Sequence, residues 1–210
     1  MTLNPSFVRD LVAVDLFAGG GGASEGILRA SGVEPVVAVN HNPHAIKMHA
    51  LNHPDTIHFE QSVYDVNPGE CVPGRQVDLL WASPDCTHFS RAKGGKPKKK
   101  EIRALAWVVV RWAEAIAPTV LIVENVPEFR TWGPLDESGQ PDRSKKGETF
   151  TAWVQALEAL GYQVEHRVLA ACDHDTPTTR KRLFVVARRD GQAVHWPEPT
   201  NGPGLSLIHI

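Results

Sequence analysis

The chain has 210 residues, 42% of them hydrophobic and 22% charged, with a formal net charge of −2 at pH 7. That is enough for one domain with its own core and an ordinary globular composition. It excludes a run of the roughly 20 apolar residues that cross a bilayer and a protein that coats nucleic acid by overall charge, though not an enzyme that meets DNA through one basic loop.

The N-terminus lacks a basic stretch followed by an apolar core, so no secretory signal is expected and the cytoplasm is the default compartment. Cys71, Cys86 and Cys172 are too few and too scattered for a disulfide framework, and no CxxC pair suggests structural zinc, so no metal site is expected.

Short β-branched runs alternate with helical patterns, the signature of a mostly parallel, doubly wound α/β sheet. Strands are predicted at residues 12–17, 36–40, 77–82, 120–124, 163–170 and 182–187, and helices at 23–30, 43–51, 100–116 and 150–160. The run Ala106-Trp107-Val108-Val109-Val110 imitates a strand, but Leu105, Val109, Trp112 and Ile116 recur at helical spacing. Two stretches interrupt the alternation, 83–100 (Pro, Gly and Lys) and 127–147 (Pro, Gly and charge). Both follow strand C-termini, where open α/β sheets place their ligands. The tail Leu205-Ser206-Leu207-Ile208-His209-Ile210 reads as the translated end of a transposon-based sequencing adapter, so residues 1–204 are expected to be the genuine chain and the gene to continue beyond them.

Four landmarks carry chemistry. The first strand runs into Asp15-Leu16-Phe17-Ala18-Gly19-Gly20-Gly21-Gly22 and then a helix. Glycines let backbone approach a ligand, and a helix N-terminus offers free N–H groups. A tight turn alone would also use them, but Phe17 adds a ring that could stack on adenine. The second landmark is Ser83-Pro84-Asp85-Cys86-Thr87-His88-Phe89-Ser90. Cys86 is either a small buried hydrophobe or a thiolate favoured by the basic stretch beyond it. His88 is a general base or a surface histidine. In the third, Glu124 ends an apolar strand, where a carboxylate is costly unless paired or used; Asn125 could merely close the turn. The fourth, Thr179-Arg180-Lys181-Arg182, is a solvated cluster or an anion clamp.

In this order the four landmarks resemble the cytosine-5 DNA methyltransferase family over residues 11–190. The resemblance implies a Rossmann-like S-adenosylmethionine-dependent methyltransferase fold with an antiparallel last strand. It implies S-adenosyl-L-methionine held by Asp15, Phe17, Ala18, Gly19, Gly20, Gly21, Asn40, Ser62 and Pro84. It implies Cys86 as the nucleophile on cytosine carbon 6, Glu124 as the group binding ring nitrogen 3 and the exocyclic amine, and Arg180 and Arg182 as base-orienting residues. The target base must be flipped out of double-stranded DNA. Ser90, Arg91, Lys93, Lys98 and Lys99 are then read as a phosphate clamp hinged at Gly94 and Gly95. A monomer of bacterial or phage type, linked to restriction–modification, is expected, with its sequence-choosing region absent from these residues.

The chain departs from the family at several points. Asp85 stands where proline precedes the cysteine, and Thr87 stands in place of glutamine. Asn40 replaces the ribose-binding acid, Ser62 takes the place of the acid near the adenine with Asp65 three residues on, and Thr178 replaces the glutamine before the arginines. Rival readings are a tRNA cytosine-5 methyltransferase and a decayed nucleotide- or DNA-binding remnant. A nicotinamide oxidoreductase ranks last, since the glycine spacing is wrong.

Overall fold

The computed structural model describes residues 11–85, 105–137 and 140–201. Its elements in chain order are β1 (Ala13–Leu16), α1 (Gly22–Ser31), β2 (Val37–Asn40), α2 (Pro43–Asn52), β3 (Ile57–Glu60), α3 (Pro68–Cys71), β4 (Leu79–Ala82), α4 (Leu105–Ile116), β5 (Val120–Asn125), α5 (Glu148–Ala159), β6 (Gln163–Ala170) and β7 (Lys181–Arg188). Short 3-10 segments occupy Pro127–Thr131, Arg143–Lys145 and Ala171–His174. Every strand and helix anticipated from the sequence is present; the helix expected over 100–116 is described from Leu105 onward. No helix among the described residues is long and apolar enough to cross a membrane.

The strands form one sheet in the order β3-β2-β1-β4-β5-β7-β6. Pairings are parallel except those of β7, which runs antiparallel to both β5 and β6. The chain winds outward from β1 in one direction through β2 and β3, then returns to place β4 on its other side. The carboxyl ends of β1 and β4 therefore flank a topological switch point, the usual ligand crevice of an open α/β sheet.

Local sequence explains the helix ends. Asn42 accepts hydrogen bonds from the backbone N–H groups of His44 (2.9 Å) and Ala45 (3.3 Å), and Pro43 supplies a preset φ at the first turn of α2. α1 closes on Gly32, whose φ of 76° suits a residue without a Cβ and lets its N–H reach the Leu28 carbonyl.

Successive strand residues face opposite sides of the sheet. One side carries Val14, Leu16, Leu80, Leu121, Val123, Leu183 and Val185, each fully buried in a single cluster with Trp112 of α4 and Trp153 of α5. Both indoles also satisfy their N–H groups, Trp112 on the Val63 carbonyl at 3.4 Å and Trp153 on the Ala106 carbonyl at 2.9 Å. The other side carries one row of mutually paired residues, Asp15, Trp81, Ile122 and Val186, with Glu124 and Phe184 paired one step further along β5. α1 and α2 cover the Asp15 end of this face. Towards β5 and β7 it is only half-buried and opens into two cavities of about 590 and 580 Å³.

The stretch 127–147, read from the sequence as a candidate ligand loop, is in part a packing element. Phe129 and Trp132 are buried, with ring centroids 5.4 Å apart, and Phe129 meets Phe150 and Trp153 edge-on. Its Pro, Gly and charged residues conceal two aromatic anchors that bury enough surface to fix the segment.

Candidate active site

β1 delivers Asp15 and then turns out of the sheet at Phe17, whose φ of 62° is unusual for a residue with a side chain. The Ala18 N–H donates to the Val39 carbonyl at 3.1 Å, and the Gly21 N–H donates back to the Ala18 carbonyl at 3.1 Å. These bonds fold residues 17–21 over the crevice. Gly19 and Gly21 take φ of 55° and 100°, and Gly21 becomes the N-cap of α1 with no side-chain acceptor. A Cβ on Gly21 would lie 2.8 Å from the His53 ring and 3.4 Å from that of His49, so two imidazoles lie directly against the loop. The first N–H groups of α1 are left available to an anion.

Beneath this loop is a polar chain that the sequence did not announce. Asp15 Oδ2 accepts from the Ser24 hydroxyl at 2.7 Å, Ser24 Oγ lies 3.0 Å from His49 Nε2, and His49 Nδ1 lies 2.8 Å from His58 Nε2. Asp15, Ser24 and His49 are fully buried, while His58 is half-buried at the outer end. Asp15 Oδ1 is buried and has no hydrogen-bond partner among the described residues. Burial pushes the Asp15 carboxyl up to about 7, only partly opposed by its bonds to Ser24. Burial, with the neighbouring His58 and His53, pushes His49 down to about 4. His53 Nε2 lies 3.3 Å from the Gly21 carbonyl, and its Nδ1 is 3.5 Å from Glu34 Oε1 but outside hydrogen-bonding geometry.

A second group forms where β4 and β5 end. The Ser83 N–H donates to the Leu16 carbonyl at 3.2 Å, and Ser83 Oγ accepts from the Trp81 indole at 2.8 Å. The Asn125 side chain, 3% exposed, donates to the Pro84 carbonyl at 3.2 Å and accepts from the Val126 N–H at 2.8 Å. Asn125 therefore does more than close a turn: it fastens the last residues before Cys86 to β5. Glu124 Oε1 is 2.7 Å from Arg182 Nε, with both side chains about a quarter exposed. Antiparallel pairing makes this contact, because β7 returns from the far end of the sheet to lay Phe184 opposite Glu124. A cavity runs from here along α1, between the small residues Gly22, Ala23, Gly26 and Ala30 and the side chains of Trp81, Ile122 and Phe184.

The anticipated residues thus divide into groups. Asp15, Phe17, Ala18, Gly19, Gly20, Gly21, Pro84, Glu124 and Arg182 gather at the carboxyl ends of β1, β4 and β5. Arg180 is exposed on the rim of the neighbouring cavity, two residues from Arg182. The side chain of Asn40 is engaged locally, accepting from the Asn42 N–H at 2.9 Å. Ser62 Oγ likewise accepts from the Tyr64 N–H at 3.3 Å. Cys86, Ser90, Arg91, Lys93, Lys98 and Lys99 lie outside the described residues. Sequence reasoning passed over Ser24, His49, His53 and His58. The spacing of His49 and His53, one helical turn apart, was the available signal that both face the same way.

Known proteins with this pattern are similar along nearly the whole chain. A family model of C-5 cytosine-specific DNA methylases matches residues 11–203. The Type II methyltransferase M.AgeI of Thalassovita gelatinovora is 31% identical over 198 residues, covering 91% of this chain and 42% of that protein. M1.HphI of Haemophilus parahaemolyticus is 30% identical over 200 residues, covering 93% and 50%. The chain therefore spans about half the length of these relatives. Among solved structures, a candidate DNA modification methyltransferase encoded within an E. coli prophage superposes with a TM-score of 0.67 at 25% identity, covering 85% of this chain and 46% of that one. A DNMT2 mutant of Spodoptera frugiperda gives 0.66 at 18% identity, covering 91% and 54%, which speaks for the fold alone. With a family model spanning residues 11–203, this chain belongs to the C-5 cytosine-specific DNA methylases.

Proposed function

We propose that the protein transfers a methyl group from S-adenosyl-L-methionine to carbon 5 of cytosine in double-stranded DNA. The observation that carries this reading is the convergence of two groups on one crevice: the glycine loop over Asp15, and the Glu124–Arg182 pair beside Pro84, which directly precedes Asp85 and Cys86.

The residues present fit the methyl donor. A buried carboxylate oxygen without a partner suits a ligand ammonium, and positive-φ glycines at a helix N-terminus leave room and N–H groups for a carboxylate. Asp15, Phe17, Ala18, Gly19, Gly20 and Gly21 would hold the donor, with Asn40, Ser62 and Pro84 on its margins. The donor supplies an electrophilic methyl group.

Cytosine carbon 5 is a poor nucleophile until the ring is activated. The Cys86 thiolate adds to carbon 6, forming an S–C6 bond and giving the ring enamine character. Glu124 would accept from the exocyclic amine and, when it carries a proton, donate to ring nitrogen 3, where negative charge develops as the thiolate adds. Arg182 orients Glu124, and Arg180 extends the cationic rim. Carbon 5 gains the methyl group with S-adenosylhomocysteine as the leaving group. It then gives its proton to a water molecule, and the electron pair left behind re-forms the C5–C6 double bond and expels the Cys86 thiolate. Flipping the base costs about a few kcal/mol, offset in part by phosphate contacts from Ser90, Arg91, Lys93, Lys98 and Lys99.

The test is expression of the complete gene in a methylation-free host, with Cys86→Ala as control. 5-Methyldeoxycytidine detected by mass spectrometry in the wild type alone is the expected result. A mark found only in tRNA would move the substrate to RNA, and a mark in neither polymer would leave a catalytically decayed remnant.

A further inference from the structure

We infer that His49, His53 and His58 are positioning residues for the methyl donor, through a one-directional hydrogen-bond chain ending on Asp15 and a contact against the carbonyl of Gly21. This rests on the reading that the glycine loop binds S-adenosyl-L-methionine.

Donor and acceptor logic fixes the order of the chain. An ionised Asp15 can only accept, so the Ser24 hydroxyl donates to Oδ2. Having spent its proton, Ser24 Oγ must accept from His49 Nε2–H, 3.0 Å away. A neutral imidazole with its proton on Nε2 has a bare Nδ1, which accepts from His58 Nε2–H at 2.8 Å. Each member thus sets the tautomer of the next. Oδ2 is occupied, and Oδ1 is the one carboxylate oxygen left for a ligand cation.

The chain joins four elements, with Asp15 on β1, Ser24 on α1, His49 on α2 and His58 on β3, and His53 caps the C-terminus of α2. The titratable groups facing it are Glu34, from the segment after α1, and His53 itself. Depression of His49 by burial keeps it neutral near pH 7, as the chain requires. His53 works on the backbone side. Its ring occupies the space a Cβ on Gly21 would need, and its Nε2 faces the Gly21 carbonyl. The carboxylate and the loop are thereby held from α2 and the residue that caps it.

The test uses the full-length protein, with S-adenosylhomocysteine as the calorimetric probe. His49→Phe retains a ring but removes both nitrogens, and His49→Gln restores a donor near the Nε2 position. His49→Phe is expected to weaken probe affinity roughly tenfold, the equivalent of one lost hydrogen bond. It should raise KM for the methyl donor while leaving kcat at saturation nearly unchanged, and His49→Gln should recover most of the loss. Wild-type affinity should fall as pH drops below about 7, because Asp15 then takes up a proton and cannot pair with an ammonium. Nitrogen-15 NMR of the ligand-free protein supplies a readout independent of binding, with His49 expected as the Nε2–H tautomer at pH 8. A folded His49→Phe variant with wild-type affinity would overturn the inference, as would an Nδ1–H tautomer of His49. A wild type that binds no probe at any pH while showing the Nε2–H tautomer would instead sink the cofactor reading and leave the chain standing.

Discussion

Two faces of one sheet, built from alternate residues of the same strands, do opposite things. Leu80, Leu121, Val123, Leu183 and Val185 are sealed beneath α4 and α5, whereas their immediate neighbours Trp81, Ile122, Glu124 and Phe184 are half-buried beside cavities. The sealed face contains apolar side chains and satisfied indoles. The other face holds a buried acid, a histidine chain and an ion pair. A strand of alternating sequence thus separates stability from chemistry by a single residue step, and the two can be perturbed independently.

The largest expected effect is on the sealed face. Trp153→Ala removes a fully buried indole that also bonds the Ala106 carbonyl, and should cost about 3–5 kcal/mol in denaturant unfolding. Phe184→Ala, in the opposite pleat and only half-buried, should cost about 1–2 kcal/mol. Equal losses would erase the contrast between the faces. Next in size, Arg182→Ala frees Glu124 and should lower kcat roughly 10²-fold with little change in melting temperature, because the pair is partly exposed. A large loss of stability with unaltered turnover would turn the ion pair into a structural element. Smaller still is a contrast inside the glycine loop. Gly21→Ala meets the His53 ring and a φ of 100°, and should weaken methyl-donor binding by about 1–3 kcal/mol. Gly20→Ala meets only the flexible tip of Met48 and should bind almost normally in the same titration.

Much of the scaffold was legible because its strands are interior and therefore continuously apolar, as in Val120-Leu121-Ile122-Val123. β3, Ile57-His58-Phe59-Glu60, escaped notice because it is a four-residue edge strand with two polar members. α3 escaped because one turn has no periodicity to read. Of the candidate site, Asp15, the glycines, Pro84, Glu124 and Arg182 were legible as motifs at strand ends. The histidine chain was not, since Ser24, His49 and His58 are far apart in sequence and each looks like a surface residue alone. Asn125 was seen but its reach to the Pro84 carbonyl, 41 positions away, is a property of the fold.

The position of β7 has a consequence for how the molecule is made. β5 lies between β4 and β7, yet β7 begins 56 residues after β5 ends, so a growing chain holds the strand that bears Glu124 as an open edge. At roughly 5–20 residues per second the ribosome needs several seconds to supply the missing neighbour. During that interval β5 offers unpaired backbone groups to any passing strand. When residues 181–188 arrive they cover that edge, give β6 its attachment and bring Arg182 to Glu124 in the same motion. Assembly of the Glu124–Arg182 pair and closure of the sheet are one event, so a nascent or misfolded chain cannot carry the pair without the fold.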